Sequence, residues 1–495
     1  MYTKKFSYVS WLVWLCLGIM LSACGAAQDA SKAYSRGLIE RGAIVPAENV
    51  RVHEYLNYYE QRFPLPVGEP LRLDLRLGNA RFPTTGGELW LQVGLQAREA
   101  ENSVRTPLNL ALVLDTSGSM NEPGKVDYLR QSLLVFLETL HPEDIVSIVT
   151  YDSNARVIRP AAYVGDKHWI EAAVLQIQAG GQTNLHGGMM LGFEQVDRHF
   201  DIRRNNRVLL LTDGIANVGI TDPDRIAADA REFNERGVYL STIGLGMDMN
   251  DALLSTLAQQ GRGAYHFVDS SEEMEKVFFE EAGGLVERVA NDVQILIEPA
   301  SGFRLMQVTG FEGDPPDAGV KVRVQDMGAG DNQVLLARME ATGVASGTRK
   351  AATVTLVYED TFAQRTRQNS EVITVSVSSV SDYHAERDVE LRRNVTIVKM
   401  AQALKRIDNL YLQGEYLAAW QVAHAMEGEL REVARLTADQ QMIDDADLFA
   451  RYQMTLAGAL GYDPETEQGY PTPLEGSEQQ PQRWGPEELP TITIE

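Results

Sequence analysis

The chain has 495 residues, more than a single hydrophobic core holds, so two to four domains are expected. Its 44% hydrophobic and 23% charged residues are those of a globular protein. With 45 basic and 69 acidic residues the formal charge is −24, a surface that repels nucleic acid and anionic lipid and suits hard cations and basic partners.

Lys4 and Lys5 precede an apolar run from Val9 to Met20, too short for an ordinary membrane span with these flanks. Leu21-Ser22-Ala23-Cys24 follows and resembles the lipobox of bacterial lipoproteins, whose cysteine is acylated and becomes the first residue of the mature chain. The resemblance implies a signal peptide over 1–23, lipidation at Cys24 and a lipid-anchored place in the bacterial cell envelope. Gly25 stands where an inner-membrane retention signal places Asp, which favours the outer membrane and leaves its face open. Cys16 leaves with the signal, so the mature chain has no cysteine pair for an intramolecular disulfide. Residues 24–50 are small and polar and read as a tether.

Next comes "VHEYLNYYEQRF" (52–63), an aromatic helix ended by Pro64 and Pro66. "LRLDLRLG" (71–78) and "ELWLQVGLQA" (88–97) alternate with the period of half-buried antiparallel strands. From 105 to 282 the pattern changes. Strands "LNLALVLD" (108–115), "DIVSIVTY" (144–151), "RVLLLTDG" (207–214) and "VYLSTIGLG" (238–246) are nearly all apolar, as expected when both faces are covered. Helical stretches over 125–140, 169–178, 187–199 and 222–236 separate them, and a helix–strand–helix closes the run at 282. Alternation of this kind predicts a doubly wound, mostly parallel α/β sheet.

Residues 283–384 return to alternating strands, from "DVQILIEP" to "EVITVSVSS". Either they form an antiparallel sandwich with the strands before residue 100, the α/β domain being inserted, or the flanks are two separate β modules. Residues 385–461 read as a helical hairpin or bundle; Gly414-x-Tyr416-x-x-Ala419 is a single tetratricopeptide-like spacing. Residues 462–495 are acidic and rich in Pro and Gln, and are expected to be disordered.

The chemistry centres on "LVLDTSGSM" (112–120). Ligands of doubly wound sheets bind beyond the carboxyl ends of strands, where Asp115 and Asp213 are expected to lie. Ser117 and Ser119 follow Asp115, and Gly118 is read as letting their loop turn. Thr183 lies in "GGQTNLHGG", a loop passing over the same edge. A phosphate cradle is excluded, since the loop has no lysine of the P-loop type and two carboxylates repel phosphate. "GLG" (244–246) lacks a third glycine for a dinucleotide, and the eight histidines have no zinc spacing. A serine nucleophile has only His186 as a base and no elbow pattern. Two carboxylates with three hydroxyls suit a hard divalent cation.

Asp115-x-Ser117-x-Ser119, Thr183 and Asp213-Gly214 resemble the metal-ion-dependent adhesion site of the von Willebrand factor A (VWA) domain. With "PEDIVSIVTY", "GGQTN", "NRVLLLTDGIANVG" and "LAQQGRGAYHFVD", the wider chain resembles bacterial VWA lipoproteins. The resemblance implies Ser117, Ser119 and Thr183 as hydroxyl ligands of one cation, Mg²⁺ first with Mn²⁺ or Ca²⁺ as alternatives. It implies Asp115 and Asp213 acting through water, and an Asp or Glu of a protein partner completing the site. An adjacent second metal is not expected, because Met120 and Asn121 precede the one nearby acid, Glu122. Asp152 and Asn217 lie near the same edge and read as loop polars. The function expected is a non-enzymatic adhesion or scaffold protein. The alternatives are an envelope assembly factor acting through its C-terminal helices and a metal-dependent hydrolase using His186.

Overall fold

The computed structural model describes residues 30–460, apart from 79–80, 100–105, 123, 270–276, 278–287, 312, 325 and 380–387. The signal, Cys24, the acidic tail and most of the last helix expected before residue 282 lie outside the described residues. Among the described residues no helix is long and apolar enough to cross a membrane.

Two helices come first, α1 (Ala30–Glu40) and α2 (Val52–Tyr58). The first corrects the expectation of a tether over 24–50. Ala30, Ala33, Tyr34 and Ile39 recur at helical spacing and are buried, and Lys32 reaches Asp445 near the other end of the chain at 2.8 Å. A segment of small and polar composition is here a docked helix, enclosed on most sides by two core clusters, with Ala30, Ala33 and Tyr34 in one and Ile39 in the other.

Strands β1 (Leu71–Leu77), β2 (Arg81–Pro83) and β3 (Gly87–Ala97) follow. The chain then enters the α/β domain: β4 (Leu108–Asp115), α3 (Lys125–Thr139), β5 (Ile145–Tyr151), β6 (Ala155–Tyr163), α4 (His168–Val174), α5 (Leu185–Asp197), β7 (Asn205–Thr212), α6 (Pro223–Glu235), β8 (Tyr239–Leu245), α7 (Asp251–Gln260) and β9 (Arg262–Val268). Every residue of β4 and of β7 is buried, which explains the apolar runs Leu110–Leu114 and Val208–Leu211 within them. The sheet order is β6-β5-β4-β7-β8-β9, parallel except for β6. Successive strands step outward from β4 to one side and then, from β7, to the other. The order therefore reverses between β4 and β7, and a crevice opens beyond their carboxyl ends.

Strands β10 (Arg288–Pro299), β11 (Phe303–Val308), β12 (Val320–Arg323), β13 (Met327–Gly328), β14 (Asn332–Ala341), β15 (Gly347–Asp360) and β16 (Arg365–Ser378) complete two further sheets. One runs β1-β3-β14-β11 and the other β12-β10-β15-β16-β2, with β13 on β10. Because β3 pairs with β14 from Gln96↔Asn332 to Gly87↔Ala341, strands from both flanks build one sandwich and the α/β domain is inserted in it. One apolar cluster, with Leu91, Val93, Ile295 and Leu356, fills its interior.

Helices α8 (Val389–Leu412), α9 (Tyr416–Thr437) and α10 (Gln440–Ala459) cover the outer face of β3 and β14. Their core includes Trp90, Val334 and Leu336 from those strands and Tyr55, Leu56 and Tyr59 from α2. The alternation of β3 led to an expectation of half burial, but its polar face is buried too. Gln92 accepts from Asn394 at 2.8 Å, and Asn394 donates also to Gln61 at 3.0 Å, so the buried amides satisfy one another.

Candidate metal centre

Asp115, the last residue of β4, is fully buried. Its Oδ1 accepts the Ser117 amide at 2.8 Å and its Oδ2 accepts the Thr212 hydroxyl at 2.6 Å. Burial pushes its carboxyl above the ordinary aspartate value; the Thr212 and Ser117 hydrogen bonds oppose this and the charge of Asp213 adds to it. With an inner partner on each oxygen, Asp115 shapes the loop that follows it.

That loop is stitched to the one carrying Thr183. The Gly118 amide donates to the Gly181 carbonyl at 2.9 Å, and the Gly180 amide donates to the Thr116 carbonyl at 2.8 Å. Gly118 is not in the left-handed region, which corrects the reason first given for it. A Cβ there would stand 3.1 Å from the Gly181 carbonyl oxygen, so close approach of two backbones is what requires glycine.

The hydroxyls meet where the loops cross. Ser117 Oγ and Ser119 Oγ are 3.1 Å apart, and Ser119 Oγ donates to Asp213 Oδ1 at 2.6 Å. A Cβ on Gly214 would lie 3.5 Å from Thr183 Oγ1 and 3.6 Å from Ser119 Oγ, so glycine leaves this space open between them. Thr183 is held from behind, its amide donating to Asn217 Oδ1 at 2.8 Å while the Asn217 amide returns to the Thr183 carbonyl at 3.0 Å. All five residues expected at the site thus come together, on loops after β4, before α5 and after β7.

The donor set fits a hard cation. Neighbouring ligands of an octahedron with arms of about 2.1 Å lie ~3.0 Å apart, close to the spacing of the two serine oxygens. Ser119 points its hydroxyl hydrogen at Asp213, which leaves its oxygen lone pairs free to face a cation. No group of three or more His, Cys, Asp or Glu side chains able to hold a metal occurs among the described residues, so a cation held here would draw on the hydroxyls.

Three contributors escaped sequence reasoning. Thr212 was visible as the hydroxyl before Asp213, but nothing in the sequence aims it at Asp115. Asn217 was read as a loop polar in preference to a partner of the site, whereas it anchors Thr183. Lys125 donates to Asp213 Oδ2 at 2.8 Å and pairs with Glu122 at 2.9 Å, bringing one positive charge to the two carboxylates. Asp152 instead closes its own turn, accepting the Asn154 amide at 2.8 Å, while its carbonyl takes the Asn184 amide. His186 stands 3.0 Å from Asp229 and ties α5 to α6.

Residues 109–280 match the family model of the von Willebrand factor type A domain. The chain is 32% identical over 331 residues to the uncharacterised protein YfbK of Escherichia coli (strain K12), over 63% of this chain and 56% of that protein. It thus spans little more than half the length of that relative. The protein sll0103 of Synechocystis is 24% identical over 353 residues, 67% of this chain and 82% of its own. A von Willebrand factor type A structure from Catenulispora acidiphila superposes with a TM-score of 0.55 at 17% identity, covering 76% of this chain and 89% of its own, which shows a shared fold.

Proposed function

Since residues 109–280 are a von Willebrand factor type A domain, a module of protein interaction and adhesion whose metal-ion-dependent adhesion sites bind a divalent cation, we propose that this chain captures a carboxylate of a protein partner at such a site. The observation that carries the reading is the convergence of Ser117, Ser119 and Thr183 with Asp115 and Asp213 at the switch point of the sheet. A bound cation, Mg²⁺ in this reading, supplies the electrophilic position that a partner's Asp or Glu oxygen fills.

The chain's own residues do the rest. Asp213 accepts the Ser119 hydroxyl on one oxygen and the Lys125 ammonium on the other, which fixes the orientation of its carboxylate. Asp115 keeps the Ser117 amide turned inward. The protein is a non-enzymatic adhesion or scaffold lipoprotein of the cell envelope, tethered through Cys24. An assembly role for α8–α10 has less support, because much of their apolar surface is already committed to the sandwich and to α2.

In the full-length protein, saturating Mg²⁺ is expected to raise the melting temperature through a single binding site. Asp115→Ala and Asp213→Ala should each lose that shift, and a shift retained in both would place the metal elsewhere. Cross-linking in native membranes, with and without chelator, tests the partner: products indifferent to chelator would remove metal-dependent capture.

A further inference from the structure

Far from the metal centre, at the amino ends of β7, β8 and β9, a cavity of about 670 Å³ lies between the α/β domain and the rim of the sandwich. Six arginines line it, Arg203, Arg204, Arg236, Arg262, Arg288 and Arg365, against three acids, Glu235, Glu359 and Asp360. Three of these arginines have acid partners outside the lining, so what sets the cavity apart is guanidiniums left, among the described residues, without an acid in a chain whose net charge is −24.

The arginines are not equally committed. Arg203 pairs with Asp201, Arg236 with Asp197 and Arg288 with Asp326. Among the described residues, Arg204, Arg262 and Arg365 pair with no acid; Arg204 donates to the Leu108 and Glu143 carbonyls. Two of these three come from the inserted domain and one from the sandwich.

Arg262 is presented by a built feature. It is the centre of Gly261-Arg262-Gly263, and its φ of +52° lies in the left-handed region that side chains rarely adopt. The ladder between β8 and β9 slips at this point, pairing Leu240 with Arg262 and then Thr242 with Tyr265, a bulge that re-aims the side chain. Gly263 has no room for a Cβ against the Leu240 backbone. The ring of Tyr239 supports the guanidiniums, with Arg262 at 6.0 Å and Arg288 at 5.6 Å from its centroid. Independently, Asn234 lines the cavity at 5% exposure and leaves both its amide nitrogen and its amide oxygen without a partner. A buried amide in that state calls for a polar ligand.

We infer that this cavity is an anion site, taking a compact ligand with two or more phosphate or carboxylate groups that bridges Arg262 of the α/β domain to Arg365 of the sandwich. Planar guanidiniums grip such oxyanions by paired hydrogen bonds. The inference is independent of the metal centre, and binding here would fasten the inserted domain to its frame.

The test titrates the full chain, in buffer freed of metal by chelating resin and held at constant ionic strength, with sodium pyrophosphate or with citrate. Calorimetry should show saturable binding of at least one probe, and the tighter one identifies the group as phosphate or carboxylate. Arg262→Gly, which keeps the backbone because glycine adopts that φ freely, and Arg365→Gln should each weaken it by about tenfold or more. Asp115→Ala should leave it unchanged. Absence of saturable binding by both probes, equal affinity in Arg262→Gly, or loss of binding in Asp115→Ala would each overturn the assignment.

Discussion

Lys125, shared between Asp213 at 2.8 Å and Glu122 at 2.9 Å, places an ammonium beside the two aspartates of the metal centre. Lys125 therefore repels the cation it stands beside. Lys125→Met should tighten Mg²⁺ binding by about tenfold, measured calorimetrically on the full chain. Weaker binding instead would mean that alignment of Asp213 outweighs the repulsion. Asp115 sets the pH response. Its raised value means the metal-free fold keeps a proton that the unfolded chain has already lost, so Asp115 lowers metal-free stability as pH rises through that window. The cation needs the carboxylate ionised. The Mg²⁺-induced rise in melting temperature should shrink as pH falls and Asp115 takes up its proton, whereas Asp115→Asn should show little metal shift at any pH. Asp115, Ser117, Ser119, Thr183 and Asp213 were legible because each is a polar residue following or bordering an apolar strand or a glycine-rich loop. Lys125 and Thr212 were not, because only the folded loops bring their side chains to a carboxylate.

The helix α1 carries a buried ion pair to the far end of the chain. Lys32 and Asp445 have side chains about 8% exposed, Tyr59 donates to the same carboxylate, and Lys32 Nζ lies 3.9 Å from the Tyr59 ring centroid. Burial pushes the Asp445 carboxyl up, and the Lys32 charge opposes that. Lys32→Met should cost about 3 kcal/mol in urea unfolding, since it strands a buried charge, and Lys32→Met with Asp445→Asn should recover part of it. A loss within experimental error for Lys32→Met would show that α1 adds nothing to the cooperative unit. Nothing in the local sequence distinguishes this helix from a tether. At eleven residues it is short for independent stability, and the packing that supports it comes from residues far along the chain.

The sandwich, the inserted domain and the terminal helices share surfaces rather than standing apart. Removal of residues beyond 384 would uncover Trp90, Val334 and Leu336 together with the buried amides Gln92 and Gln61. Such a chain is expected to lose cooperative unfolding and to aggregate, read by calorimetry and size-exclusion chromatography. A soluble monomer with one sharp transition would show that the helices are a separable domain. The same sharing explains why β3 and β14 looked half-exposed: a period-2 pattern records the sandwich side faithfully, while the helices cover a face whose polar residues are satisfied by other amides.

The sequence by itself determined the α/β domain and the polar residues that gather at its ligand-binding edge. A strand buried on both faces must be apolar throughout, and the polar residues that end it must serve the edge where ligands bind. Only the tertiary structure decided that β3 pairs with β14 around an inserted domain, that the expected tether is a helix, and that six arginines meet in one cavity. Local periodicity reports that a residue is buried, and it carries no information on which distant residue does the burying.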